Sequence, residues 1–297
     1  MKPPPFAYHR PDTAEEAVQL LTEYGPDARV LAGGQSLLPL LHRRLVRPTA
    51  LVDVARLAAL RGTGRQDGAL RVGALTTHAD LERTADPHVR DGLPVLPETA
   101  RLIGHLPVRV RGTVGGSLAH ADPAAEWCLL AVLLDADLDV LGPEGQRTIP
   151  AAEFFTGAHR TALAPGDLLT GVRFPHPAAT AAVAEYGPQR GSLPLVAAGA
   201  EIVLGPDGRI AATRIALAGV EDRPVRSSTA EQALLGGVPE PRLLDHAARL
   251  AAKDLDPRAD HRAPAGYRRD LARTLTGRAL AASLARSTAR LQEATAP

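Results

Sequence analysis

The segment "RGTVGGSLAHADPAAEW", Arg111 to Trp127, restricts the fold more than any other part of this chain. A glycine pair is followed by small residues, a His-x-Asp and a Glu, and then an apolar helix starts without a linker. A second fragment, "LAGGQSLLPLL" at Leu31 to Leu41, repeats the glycine pair and again places a serine just after it. Glycine pairs let a backbone approach a ligand closely and turn successive N–H groups into one concavity. Two such loops in one chain point to two sides of one phosphate-bearing ligand. Ser36, Thr113 and Ser117 add short hydroxyl groups at the same level, and Gln35 adds an amide. Asp122 and Glu126 lie four residues apart, on one face of a helix whose first turn holds Pro123.

Other chemistries lack their signatures. There is no G-x-S-x-G elbow and no P-loop, and "GTGRQD" at 62–67 does not match the dinucleotide glycine pattern. A dinucleotide held here would not sit on a Rossmann unit. His120-x-Asp122 supplies two possible metal ligands with no third at ligand spacing, so no metal is expected. The single cysteine, Cys128, excludes an internal disulfide and a cysteine-ligated iron–sulfur cluster within the chain. A net charge of +1 gives no general reason for nucleic-acid or membrane binding, and 3% aromatic residues disfavour base stacking. Residues 241–297 are more basic, with 11 Lys and Arg against 6 Asp and Glu, at a spacing that suits a solvated helix face. With no apolar leader and no apolar run of spanning length, a cytoplasmic location is expected.

Periodicity predicts a helix over 12–24 capped by Asp12 or Thr13, and strands at "ARVLAGG", "TALVDVARL" and "GALRVG". It also predicts helices at "SLLPLLHRRL", from near Thr77, and at "PVLPETARLIGH". "EWCLLAVLLDADLDVLG" predicts a helix passing into a strand. A Pro- and Gly-rich stretch marks a boundary near 175. Beyond it, two strands joined by a Pro-Asp-Gly turn precede helices at 228–236, 240–253 and 264–288. The expected class is α+β.

Five motifs taken in order are more specific than any alone: F-x-Y-x-R-P at Phe6–Pro11, A-G-G-Q-S-L-L-P at Ala32–Pro39, L-V-D-V at Leu51–Val54, V-G-A-L-T-T at Val72–Thr77, and R-G-T-V-G-G-S-L-A-H-A-D-P-A-A-E at Arg111–Glu126. Together with "FFTGAHRTAL" at 154–163 and "YRRDLARTLTGRAL" at 267–280, they closely resemble the FAD-binding medium subunit of molybdenum hydroxylases, over nearly the whole chain. The resemblance implies a vanillyl-alcohol-oxidase-like (PCMH-type) FAD-binding domain over 1–175, in subdomains of about 1–55 and 56–175. A C-terminal domain over 176–297 would carry a three-stranded antiparallel sheet and helices. It further implies that Ala32, Gly33, Gly34, Gln35, Ser36 and Leu37, with Thr113, Gly115, Gly116 and Ser117, cradle the FAD diphosphate. Asp122 and Glu126 would serve the adenosine end, Thr76 and Thr77 would lie nearby, and Leu169 would pack at the cofactor. The implied partners are a molybdopterin-binding large subunit and a [2Fe–2S] small subunit, with FAD passing electrons to an acceptor. The alternatives are a stand-alone FAD enzyme for a small organic substrate and a non-catalytic flavin-binding scaffold.

The chain departs from the family pattern in two places. In "IGHLPVRVRGT", His105, Pro107 and Val110 replace an Asp, a Gln and an Asn common in the family. In "VAEYGPQRGSLPLVAAG", Pro188-Gln189 stand where two arginines are common, Ser192 replaces an Asp and Pro194 an Ala. By the resemblance this third segment lies toward the flavin ring and the partner subunits. Tyr186 and His105 have proton-transfer chemistry near the altered segments, but a surface tyrosine and a loop histidine are their ordinary roles, and no catalytic residue is assigned.

Overall fold

A computed structural model describes residues 2–189 and 191–295; Arg190, within the altered third segment, lies outside them. The first sheet is parallel. Its strands β1 (Ala7–His9), β2 (Ala28–Leu31) and β3 (Ala50–Asp53) are ordered β1-β3-β2, with Ala50 opposite both Ala7 and Ala28. Parallel neighbours need crossovers, and these are the helices Ala14–Tyr24 and Leu37–His42. Thr13 caps the first of them, its hydroxyl accepting from the Glu16 N–H at 3.1 Å. Ala17, Val18 and Leu21 bury the inner face of that helix.

The second sheet is antiparallel. It contains β4 (Thr63–Gln66), β5 (Ala69–Gly73), β6 (Asp137–Gly142) and β7 (Gly145–Pro150). After a two-stranded ribbon of β8 (Phe155–Gly157) and β9 (Arg160–Thr161), β10 (Leu168–Phe174) inserts between β5 and β6. The third sheet, β11 (Ala182–Tyr186), β12 (Val196–Leu204), β13 (Ile210–Ala218) and β14 (Val225–Arg226), is antiparallel in chain order. The two-residue β14 adds a fourth strand to the three expected.

The helix Glu126–Leu133 lies between the second and third sheets and is buried at all eight positions. Its sequence "EWCLLAVL" is apolar all round, which only an enclosed helix tolerates. Leu129, Leu130 and Leu133 join one core with Val72, Leu138 and Val172 of the second sheet and with Ala197, Ala216 and Ala218 of the third. Behind the third sheet, the helix Ala265–Thr295 packs on β11 and β12, and the helix Pro241–Lys253 packs against that helix in the same core. No helix among the described residues is long and apolar enough to cross a membrane.

Candidate functional site: two glycine loops brought face to face

The Gly33 loop follows β2, and the Gly115 loop opens the helix Val114–His120. They meet through a contact only glycine permits: a Cβ on Gly33 would stand 2.0 Å from the Arg111 carbonyl oxygen. Gly116 faces the same seam, with the Cβ of Ala32 at 3.9 Å from where its own would be. Gly34 turns the first loop at φ 75°. Among the described residues, none accepts a hydrogen bond from the backbone N–H of Gly33, Gly34, Gln35 or Ser36. The Gln35 amide donates back to the Gly33 carbonyl at 3.2 Å, and the Ser36 hydroxyl makes no cap bond to the helix Leu37–His42.

The second loop is held from below. The Gly115 N–H donates to Ala74 O at 2.8 Å and the Val114 N–H to Thr76 O at 3.0 Å, while Thr113 bridges Thr77. Thr113 is the helix cap, its hydroxyl accepting from the Gly116 N–H at 3.1 Å. Gly115 is required by packing, since a Cβ there would stand 2.4 Å from the Ala74 Cβ. The hydroxyls of Thr76 and Thr77 are engaged within the chain. Thr76 Oγ1 accepts from the Gly62 N–H and donates to its carbonyl. Thr77 forms a capping box with Asp80.

His78, which belongs to none of the glycine motifs, supports this loop. Its backbone N–H donates to Gly112 O at 3.1 Å, and its Nδ1 accepts from the Trp127 indole N–H at 3.0 Å. Burial, aided by the Arg109 charge, lowers its pKa to about 4, so the ring stays neutral. The only sign in the sequence is its position directly after V-G-A-L-T-T.

The polar tail of the motif divides in two, because the helix begins only at Glu126 and leaves Asp122 and Pro123 in the turn before it rather than on its first turn. Ala121 takes a left-handed turn at φ 48°, and Asp122 accepts from the Ala124 N–H at 2.9 Å. Asp122 also lies beside His120 and His159. Glu126 is only 4% exposed, and burial plus the Glu185 carboxylate raise its pKa to about 8. Glu185, on β11, is raised to about 7 by burial, and its buried Oε2 has no partner among the described residues. Nothing in the sequence singles out Glu185 within the altered third segment; its environment alone does. The two departures from the family pattern touch: a Cβ on Gly191 would lie 2.8 Å from the His105 ring. Tyr186 is exposed and packs edge-on against Tyr267. Leu169 is buried opposite Val140, at the bulge in β10.

These groups fit FAD. Four consecutive N–H groups without acceptors suit a diphosphate, and the Gly33 seam tolerates no side chain. The buried, unpartnered Glu185 oxygen suits a polar edge of a larger cofactor.

Comparison with known proteins agrees. Residues 4–177 match the FAD binding domain in molybdopterin dehydrogenase, and residues 183–283 the CO dehydrogenase flavoprotein C-terminal domain. The 6-hydroxypseudooxynicotine dehydrogenase complex subunit alpha of Paenarthrobacter nicotinovorans is 37% identical, over 97% of each chain. The carbon monoxide dehydrogenase medium chain of Hydrogenophaga pseudoflava is 36% identical, over 96% of this chain and 99% of that one. A chain in the crystal structure of quinoline 2-oxidoreductase from Pseudomonas putida 86 superposes with a TM-score of 0.91, at 38% identity over 97% of this chain and 99% of that one. Motifs, fold and relatives agree that this chain belongs to the FAD-binding medium subunits of the molybdenum hydroxylases, flavoprotein components of molybdopterin dehydrogenases.

Proposed function

We propose that this chain carries electrons through FAD inside a molybdopterin-containing dehydrogenase, between a [2Fe–2S] small subunit and an acceptor, while a large subunit oxidises the substrate. The run of acceptor-free N–H groups at Gly33–Ser36, facing the Gly116 seam, carries this reading. In it, Ala32–Leu37 and Thr113–Ser117 hold the diphosphate. Thr76, Thr77 and the neutral His78 keep the second loop in place, and Leu169 packs against the cofactor. Because the Glu185 carboxylate of the third segment acts electrostatically on Glu126, we place both on the ring side of the cofactor rather than at its nucleoside. Bound FAD supplies the electron-transfer chemistry; the chain supplies placement and electrostatics. With raised pKa values, Glu126 and Glu185 keep a proton between them at neutral pH, available as a hydrogen-bond donor.

Relatives named for carbon monoxide, quinoline and a hydroxylated pseudooxynicotine are 36–38% identical to this chain. Such even similarity supports placing substrate choice in the large subunit. We also place the protein in the cytoplasm, since a single, fully buried cysteine suits a reducing compartment.

The test is purification of the tagged chain from its native host, with assay of FAD, molybdenum and iron. FAD with molybdenum and iron in fixed ratio is expected, and Gly116→Val is expected to lose FAD while keeping its circular dichroism spectrum. FAD-loaded protein that turns over a substrate without either metal would instead establish the stand-alone enzyme. A folded Gly116→Val that keeps stoichiometric FAD would refute the assignment of the second loop.

A further inference from the structure

We propose that His120, Asp122 and His159 form a binding site for a divalent transition-metal ion of the zinc class, separate from the glycine loops. The fold brings together what the sequence keeps apart. His120 ends the helix Val114–His120, Asp122 follows the left-handed turn at Ala121, and His159 sits at the tip of the β8–β9 ribbon. One ligand atom from each lies within 4.8 Å of the others. Tetrahedral zinc with bonds of about 2.0–2.2 Å sets its ligands about 3.4 Å apart, so the ligand atoms need to close by at most about 1.4 Å.

Three features go beyond proximity. The His159 Nδ1 lies 3.2 Å from the His120 carbonyl oxygen; a carbonyl only accepts, so Nδ1 carries the proton and Nε2 keeps its lone pair for a metal. Metal-binding histidines are commonly fixed through the other ring nitrogen in this way. Asp122 is oriented similarly, Oδ1 accepting from the Ala124 N–H while Oδ2 has no hydrogen-bond partner among the described residues. Finally, Ala121 and His159 are both non-glycine residues with positive φ, 48° and 55°. Such backbone is costly and persists where its surroundings impose it; here the Ala121 carbonyl accepts from the His159 N–H at 2.9 Å and ties the ribbon to the turn. The imidazole rings stand 4.7 Å apart.

Two imidazoles and one carboxylate are a ligand set for zinc and similar borderline ions, and the exposure of His159 leaves the remaining position to water or a small anion. Asp122, expected to serve the adenosine end, is on this reading a metal ligand.

Tag-free, FAD-loaded full-length protein would be dialysed against Zn2+, and separately titrated with Co2+ while its d–d absorption is followed. One ion per chain is expected, with cobalt bands of a nitrogen–oxygen site. His159→Asn keeps a residue that tolerates positive φ, and is expected to weaken binding by more than about 100-fold, beyond the usual cost of losing only a supporting contact. FAD content should stay unchanged. His176→Asn, at an exposed histidine elsewhere, should bind as the parent does. No stoichiometric ion in the parent, or equal retention in His159→Asn, would overturn the site.

Discussion

Glu126 shows what burial does to a single side chain. In the unfolded chain its carboxyl ionises near the ordinary 4.5, but in the fold it keeps its proton to about 8, and Glu185 to about 7. Between these limits the native state binds more protons than the unfolded one. Stability is therefore full below about pH 4.5 and falls as pH rises through 7 and 8. Glu126→Gln removes the larger of the two titrations. Urea unfolding of the FAD-free chain should show the variant gaining at least about 1.4 kcal/mol on the parent between pH 5 and pH 9, the equivalent of a single pKa unit. Parallel stability curves would mean that Glu126 ionises normally. At this scale the sequence was legible only where a motif named the residue. Glu126 stood inside the second glycine motif, whereas Glu185 and His78 are defined by what surrounds them. His78 stays neutral because burial, aided by the Arg109 charge, disfavours its charged form, and the Trp127 indole that bonds its ring comes from a distant part of the chain.

At the scale of elements, glycine has two uses that the sequence does not distinguish. Gly115 lets the second loop press on Ala74, whose backbone Cα would stand 2.7 Å from an added Cβ. Gly277, inside the helix Ala265–Thr295, would place its Cβ at an ordinary 3.9 Å from that of Ala248. The same substitution should thus act oppositely at the two sites. Gly115→Ala should cost about 1–3 kcal/mol through overpacking, whereas Gly277→Ala should add about 0.5–1 kcal/mol by restricting the unfolded chain and improving helix propensity. Denaturant midpoints of the two variants check this, and a neutral Gly115→Ala would remove the packing argument. Long periodic elements were visible in advance: the helix Ala14–Tyr24, the enclosed helix Glu126–Leu133, and the strands β12 and β13 about their Pro-Asp-Gly turn. The pattern did not show β11, whose pairing with β12 is non-local, or that "PVLPETARLIGH" contracts to the six-residue helix Val95–Ala100. His159 was hidden for the same reason. Spacing along the chain cannot show that the β8–β9 ribbon returns to the end of the Val114–His120 helix.

Across the whole molecule, a short path of hydrogen bonds joins the second glycine motif to the C-terminal helices. The Gly219 N–H, just past β13, donates to the Pro123 carbonyl at 2.8 Å, holding the turn between Asp122 and Glu126. The Gly219 carbonyl accepts from Arg268 at 3.0 Å. Arg268, on the long C-terminal helix, is 6% exposed; it also donates to Leu195 O at 2.6 Å, at the end of the third segment, and to Asp260 at 2.9 Å. A buried guanidinium serving two carbonyls and a carboxylate is costly to replace, because the Leu195 and Gly219 carbonyls lose its N–H donors and Asp260 loses its ion pair. Arg268→Met keeps apolar bulk and removes the charge, and should destabilise the protein by about 3 kcal/mol in urea unfolding. If the path supports the cofactor site, the variant should also bind FAD more weakly, although the residue belongs to the C-terminal helices and stands outside both glycine loops. Undiminished FAD affinity with the same loss of stability would mean that the C-terminal sheet and helices brace only themselves. Loss of both together would make the fold's three larger sheets one support for the flavin, and explain how a motif read from the first half of the chain depends on an arginine near its end.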